Sequence, residues 1–117
     1  MPAIALTTDT SILTAIGNDY GFDQVFARQI RALGRKGDIA VAISTSGNSP
    51  NVLVATDAAR EMGLITVGLT GRDGGALGSK VQYHLNVPHN RSARIQEVHI
   101  MIGHILCELT EESVKGL

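Results

Sequence analysis

Aromatic side chains are almost missing from this chain of 117 residues, which holds two tyrosines, two phenylalanines and no tryptophan. That scarcity excludes a core of stacked aromatic plates and an aromatic platform for nucleic-acid bases. Cysteine is scarcer still. The lone Cys107 lies in an apolar helical stretch, so no disulfide forms within the chain, and a buried thiol in a reducing compartment is expected. An excess of one charge is absent too: ten Lys and Arg against eleven Asp and Glu leave a net charge of −1. No general attraction to nucleic acid or to a membrane surface follows from such a balance. No segment approaches the roughly 18 consecutive apolar residues of a spanning helix, and no basic region followed by an apolar run opens the chain. The expectation is a soluble, cytoplasmic protein of one domain. What the chain has in plenty is small residues, 13 glycines among them, within a hydrophobic content of 44%. That mixture suits helices packed closely on a sheet.

Short apolar runs alternate with amphipathic ones. Pro2 to Leu6 is read as a first strand, Phe22 to Leu33 as a helix with Val25, Phe26, Ile30 and Leu33 on one face, and Ile39 to Ile43 as a buried parallel strand. A helix over 50–62 is closed by Gly63 and followed by a strand over 64–69. Asp73-Gly74-Gly75 reads as a turn, 76–80 as a short helix, 83–87 as a strand, and about 92–113 as a last helix. Strands separated by helix-length connections predict an α/β fold, doubly wound, with a mostly parallel sheet and right-handed crossovers.

The chemistry concentrates in Ser44-Thr-Ser-Gly-Asn-Ser-Pro50, between the second predicted strand and the helix that follows. The first turn of a helix presents unpaired N–H groups and a favourable dipole to an anion. Ser44, Thr45, Ser46 and Ser49 add four hydroxyls that donate to phosphate oxygens without bulk, and Gly47 allows a tight turn. One hydroxyl suffices for a helix cap, so four point to phosphate. Gly17-Asn18-Asp19 is expected in a loop, where Asn and Asp are common for reasons of turn geometry alone. On the last helix Gln96 and His104 lie eight residues apart, two turns with an offset of about 80°, and can face one cleft. His99 points to another sector, where a partly exposed or hydrogen-bonded helix residue is expected. A histidine such as His104 in an apolar helix serves either as a satisfied structural residue or as a ligand or acid–base group.

Taken together, Asn18-Asp19, Ile43 to Ser49, Leu69-Thr-Gly-Arg-Asp-Gly-Gly75, and Arg94-Ile-Gln-Glu-Val-His99 with His104 resemble the sugar isomerase (SIS) domain, and within it the phosphoheptose isomerases. The resemblance runs over nearly the whole chain from Pro2. It implies a flavodoxin-like sheet and the interconversion of sedoheptulose 7-phosphate and glycero-manno-heptose 7-phosphate, the first step of nucleotide-activated heptose synthesis. It also implies that Ser44, Thr45, Ser46 and Ser49 hold the substrate phosphate and that Asn18 and Asp19 contact the sugar. Gln96 and His104 match positions that bind substrate or zinc, His104 being also the expected acid–base residue. A homotetramer is implied, and the last helix carries more apolar residues than one sheet face needs. Aldose–ketose isomerisation passes through an enediol, so a proton carrier and charge stabilisation at the oxygens are required.

The chain departs from that pattern in two places. Family members carry, ahead of the equivalent of Pro2, a long helix, a first strand with an Asn-Gly-Gly-Ser loop, and a helix bearing a His and a catalytic Glu. The absent strand would lie beside that at 39–43, leaving backbone groups unpaired. Ala93 stands where the isomerases carry Asp, as in a sister group of non-catalytic SIS proteins that bind the replication initiator DnaA. Those proteins lack a histidine at the equivalent of His104, and its presence here favours the isomerase over a module that binds a protein partner or senses a phosphosugar.

Overall fold

Asp9 and Gly21 delimit the first regular element of the computed structural model, which describes residues 2–116. The Asp9 carboxylate accepts a hydrogen bond from Ile12 N–H at 2.9 Å and caps α1, Thr10–Tyr20, which stops at Gly21 with φ of 90°. Asn18 and Asp19 therefore sit in the last turn of a helix and not in the loop expected of them. A strong cap and a glycine stop twelve residues apart outweigh the local turn preference of Asn-Asp. A 3₁₀ turn at Phe22–Gln24 leads into α2, Val25–Leu33.

Three parallel strands follow, β1 (Ile39–Ser44), β2 (Ile65–Gly71) and β3 (Tyr83–Val87), in the order β1-β2-β3. Their register places Val41 beside Val67 and Tyr83, and Ile43 beside Leu69 and Leu85. The crossovers are α3 (Pro50–Glu61) and the short α4 (Gly75–Lys80), and α5 (Ser92–Lys115) ends the chain. Helices lie on both faces: a side chain at Gly68 would meet Val81, at the end of the α4 crossover, whereas one at Gly71 would meet Ile95 of α5. The fold is thus the α/β arrangement with a parallel sheet that the alternating pattern predicts.

Pro2–Leu6 is not a strand. Leu6 instead packs against the main core cluster of Ala27, Ile30, Ala55, Ala58, Ala59 and Leu64, and its carbonyl accepts a bond from Gln29 Nε2 at 3.0 Å. The alanines let α2 and α3 approach closely, the use expected of a chain rich in small residues. Among the described residues β1 pairs only with β2, so its outer edge is open. Ile39, Val41 and Ile43 are 63%, 51% and 56% exposed on the sheet face that α5 leaves uncovered. That side of β1 was expected to be buried. α5 covers only the end of the sheet near Leu69 and Gly71.

Candidate functional site

The loop Ser44–Ser49 leaves β1 at the carboxyl edge of the sheet, where ligands of open α/β sheets bind. Gly47 turns the backbone with φ of 65°, and Gly47 N–H bonds to Ser44 O at 3.1 Å. The turn folds the hydroxyls onto one another: Ser44 Oγ lies 2.9 Å from Ser49 Oγ and 3.5 Å from Ser46 Oγ. Ser46 Oγ accepts from Asn48 N–H at 3.1 Å, and its proton can turn from the long contact with Ser44 to an incoming acceptor. The Ser44–Ser49 contact consumes one hydroxyl proton and leaves the other. Ser49 occupies the cap position of α3 without making a side-chain cap bond, and Pro50 has no N–H to satisfy. Val52 N–H is held by Asn51 Oδ1 at 2.9 Å. The result is a cluster of hydroxyl groups on a helix N-terminus, free of carboxylates along 44–51.

A second loop, Arg72–Gly75, backs the first. Arg72, Gly74 and Gly75 have φ of 55°, 92° and 55°. A Cβ on Gly75 would stand 2.6 Å from Ser46 O, and one on Gly47 would overlap the Gly74 carbonyl, so the two backbones touch. A polar chain under this turn fixes it. The Thr70 hydroxyl donates to Asn86 Oδ1 at 2.8 Å, and Asn86 Nδ2 donates to Arg72 O at 3.1 Å. Having given its proton away, Thr70 Oγ1 accepts from His84 Nε2 at 2.6 Å, which places the His84 proton on Nε2.

Of the other predicted site residues, Asn18 and Asp19 lie exposed at the end of α1, joined by an Asn18 Nδ2 to Asp19 Oδ1 bond of 2.8 Å. Gln96 and His104 are both exposed on α5. Gln96 follows Ile95, whose side chain and the Thr45 carbonyl converge on Gly71, so the first turns of α5 abut the hydroxyl loop. Among the described residues no hydrogen bond or ion pair ties His104, Asn18 or Asp19 to that loop. Cys107, expected as a buried thiol, is exposed, because the second half of α5 runs past the sheet with nothing packed on it.

His99 is the residue whose importance the sequence understated. It is 6% exposed, its Nε2 donates to the Thr70 carbonyl at 2.9 Å, and its buried Nδ1 has no hydrogen-bond partner among the described residues. Together with the buried Ile95, this bond holds the first half of α5 against β2. The spacing of four from Ile95 was a usable signal, since it puts both residues on the buried stripe. His99→Leu keeps most of the volume and removes the bond to the Thr70 carbonyl, while also removing the unpartnered Nδ1. A net loss of about 1 kcal/mol in urea unfolding is expected, and an unchanged midpoint would show that the bond contributes nothing.

Gln96 and His104 were also expected to bind zinc. Two turns of helix separate their Cα atoms by about 12 Å along the axis, a gap two long side chains can close on one ion. A zinc ion takes four ligands, and among the described residues no cluster of three His, Cys, Asp or Glu exists. The donor set fits half of a zinc centre.

The sequence profile described as the SIS domain matches residues 1–71. The chain belongs to the SIS-domain family. Among curated proteins, a phosphoheptose isomerase from Nitratidesulfovibrio vulgaris strain Miyazaki F is 60% identical over 111 residues, 95% of this chain and 53% of that protein. One from Roseiflexus is 58% identical over 114 residues, 97% of this chain and 58% of that protein. The SIS domain described here spans little more than half the length of these relatives. The solved phosphoheptose isomerase of Neisseria gonorrhoeae matches with a TM-score of 0.89 and 59% identity, over 92% of this chain and 61% of that one. That of Francisella tularensis matches with the same TM-score and 46% identity.

Proposed function

We propose that this SIS domain works in the isomerisation of sedoheptulose 7-phosphate to glycero-manno-heptose 7-phosphate, as part of a phosphoheptose isomerase. The observation that carries the proposal is the four-hydroxyl loop at the start of α3, within a chain about 60% identical to proteins of that name. Ser44, Thr45, Ser46 and Ser49 bind the phosphate, each charge-assisted bond contributing about 1.5–3 kcal/mol net of its exchange with water. Asn18 and Asp19 orient sugar hydroxyls. His104 carries the proton between C1 and C2, and the Gln96 carboxamide steadies the oxygens as charge develops. Zinc held by Gln96 and His104, with further ligands from outside this chain, would polarise the substrate oxygens.

In this reading the site matures in a homo-oligomer, a tetramer by resemblance. Ile100, Met101, Ile105, Leu106 and Leu109 are all exposed on α5, a stripe suited to packing against other copies. No helix of the described residues is long and apolar enough to cross a membrane. The sugar phosphate, and the nucleotide-heptose synthesis that uses it, place the work in the cytoplasm.

The test joins this chain to the N-terminal half of the Nitratidesulfovibrio relative, adds zinc, and follows aldose formation from sedoheptulose 7-phosphate. Turnover by the chimera, and little by this chain alone, is expected. A folded chimera that turns over no substrate would overturn the assignment.

A further inference from the structure

Asn48 is the one member of the hydroxyl loop with an amide side chain, and phosphate binding as described does not use it. Its bonds have a clear pattern. Asn48 Nδ2 donates to Ser46 O at 3.1 Å within the loop, while Asn48 Oδ1 accepts from Ala76 N–H at 2.9 Å across the gap to α4. Next to it, Gly47 O accepts from Leu77 N–H at 2.9 Å. Ala76 and Leu77 belong to the first turn of α4, whose N–H groups have no partner inside the helix. The loop thus docks on α4 through two bonds, and Asn48 supplies the only side chain in them.

Docking matters because Gly47 does not hold its own conformation. A glycine at φ of 65° visits many other states with equal ease, and each would scatter the Ser44, Ser46 and Ser49 hydroxyls. Asn48 suits the task by chemistry: it offers a donor and an acceptor on one short stem. Aspartate lacks the donor, serine falls short of Ala76, and glutamine is one methylene too long. We propose that Asn48 is a positioning residue for phosphate: by clamping the loop to α4 it preorganises the hydroxyls while touching no reacting atom. The proposal rests on reading this loop as the phosphate site.

The test titrates inorganic phosphate into the unsubstituted chain and N48A by calorimetry, and compares KM and kcat of the two in the chimera. Losing two hydrogen bonds of ordinary strength corresponds to about a thirtyfold weaker phosphate affinity. A KM raised by a similar factor is expected, with kcat changed less than about threefold, a split that general destabilisation does not produce. Should N48A fail to fold, N48D takes its place. It keeps the oxygen facing Ala76 but frees Ser46 O and sets a carboxylate in the loop, so its loss of affinity is expected to be larger and to shrink in high salt. Phosphate affinity within twofold of the unsubstituted chain, in either variant, overturns the proposal. If the unsubstituted chain itself binds no phosphate, the phosphate reading fails first and the proposal with it.

Discussion

Gly47→Ala is expected to abolish phosphate binding and to destabilise the domain by about 3 kcal/mol or more. Two costs combine. An alanine held at the φ of 65° found here sits in the left-handed region, at about 1–2 kcal/mol. Its Cβ would also overlap the carbonyl oxygen of Gly74 and stand 2.6 Å from that carbonyl's carbon, backbone atoms that cannot rotate away. Relief requires the loop to leave α4, which breaks the Leu77 N–H to Gly47 O and Ala76 N–H to Asn48 Oδ1 bonds at about 1 kcal/mol each. Urea unfolding followed by circular dichroism, together with a phosphate titration, checks both parts. A normal midpoint with normal affinity would show that the two loops tolerate separation.

His104→Ala is expected to behave in the opposite way, leaving the fold intact and removing the reaction. His104 is exposed and, among the described residues, its side chain makes no hydrogen bond, so its truncation should change stability by no more than about 0.5 kcal/mol. If it carries the proton between C1 and C2, its loss lowers kcat by about 10²–10⁴-fold. Isomerisation of sedoheptulose 7-phosphate by the chimera and its His104→Ala form measures this directly. A variant that keeps more than a tenth of the rate would move the acid–base role elsewhere. The pair separates two kinds of expected effect: that at Gly47 comes from backbone shape, whereas that at His104 comes from a side chain the fold does not need.

Much was legible in the residues alone. The order of strands and helices from Val25 onward follows from apolar periodicity and from glycines placed at element ends, which are local properties. The hydroxyl loop between β1 and α3 was legible because its chemistry is contiguous: four hydroxyls, a glycine and a proline fall within seven residues. Pro2–Leu6 was misread because a strand exists only by pairing, and the chain's own pattern does not say whether an edge is available. Asn18-Asp19 was misread because the decisive signals, Asp9 and Gly21, lie outside the dipeptide.

Tertiary structure alone decided the rest. Residues 48 and 76 are 28 positions apart, and no periodicity announces that the Asn48 side chain meets the Ala76 amide. The same holds for His99 and the Thr70 carbonyl, which lie 29 positions apart. It holds again for Thr70, whose hydroxyl gathers His84 and Asn86 from the neighbouring strand. Sequence by itself determined which groups can donate, accept or carry a proton, since those are properties of single side chains. Which of them meet was set by the parallel register and by the approach of two glycine turns, because hydrogen bonds are short and directional and act only where the fold brings both partners within about 3 Å.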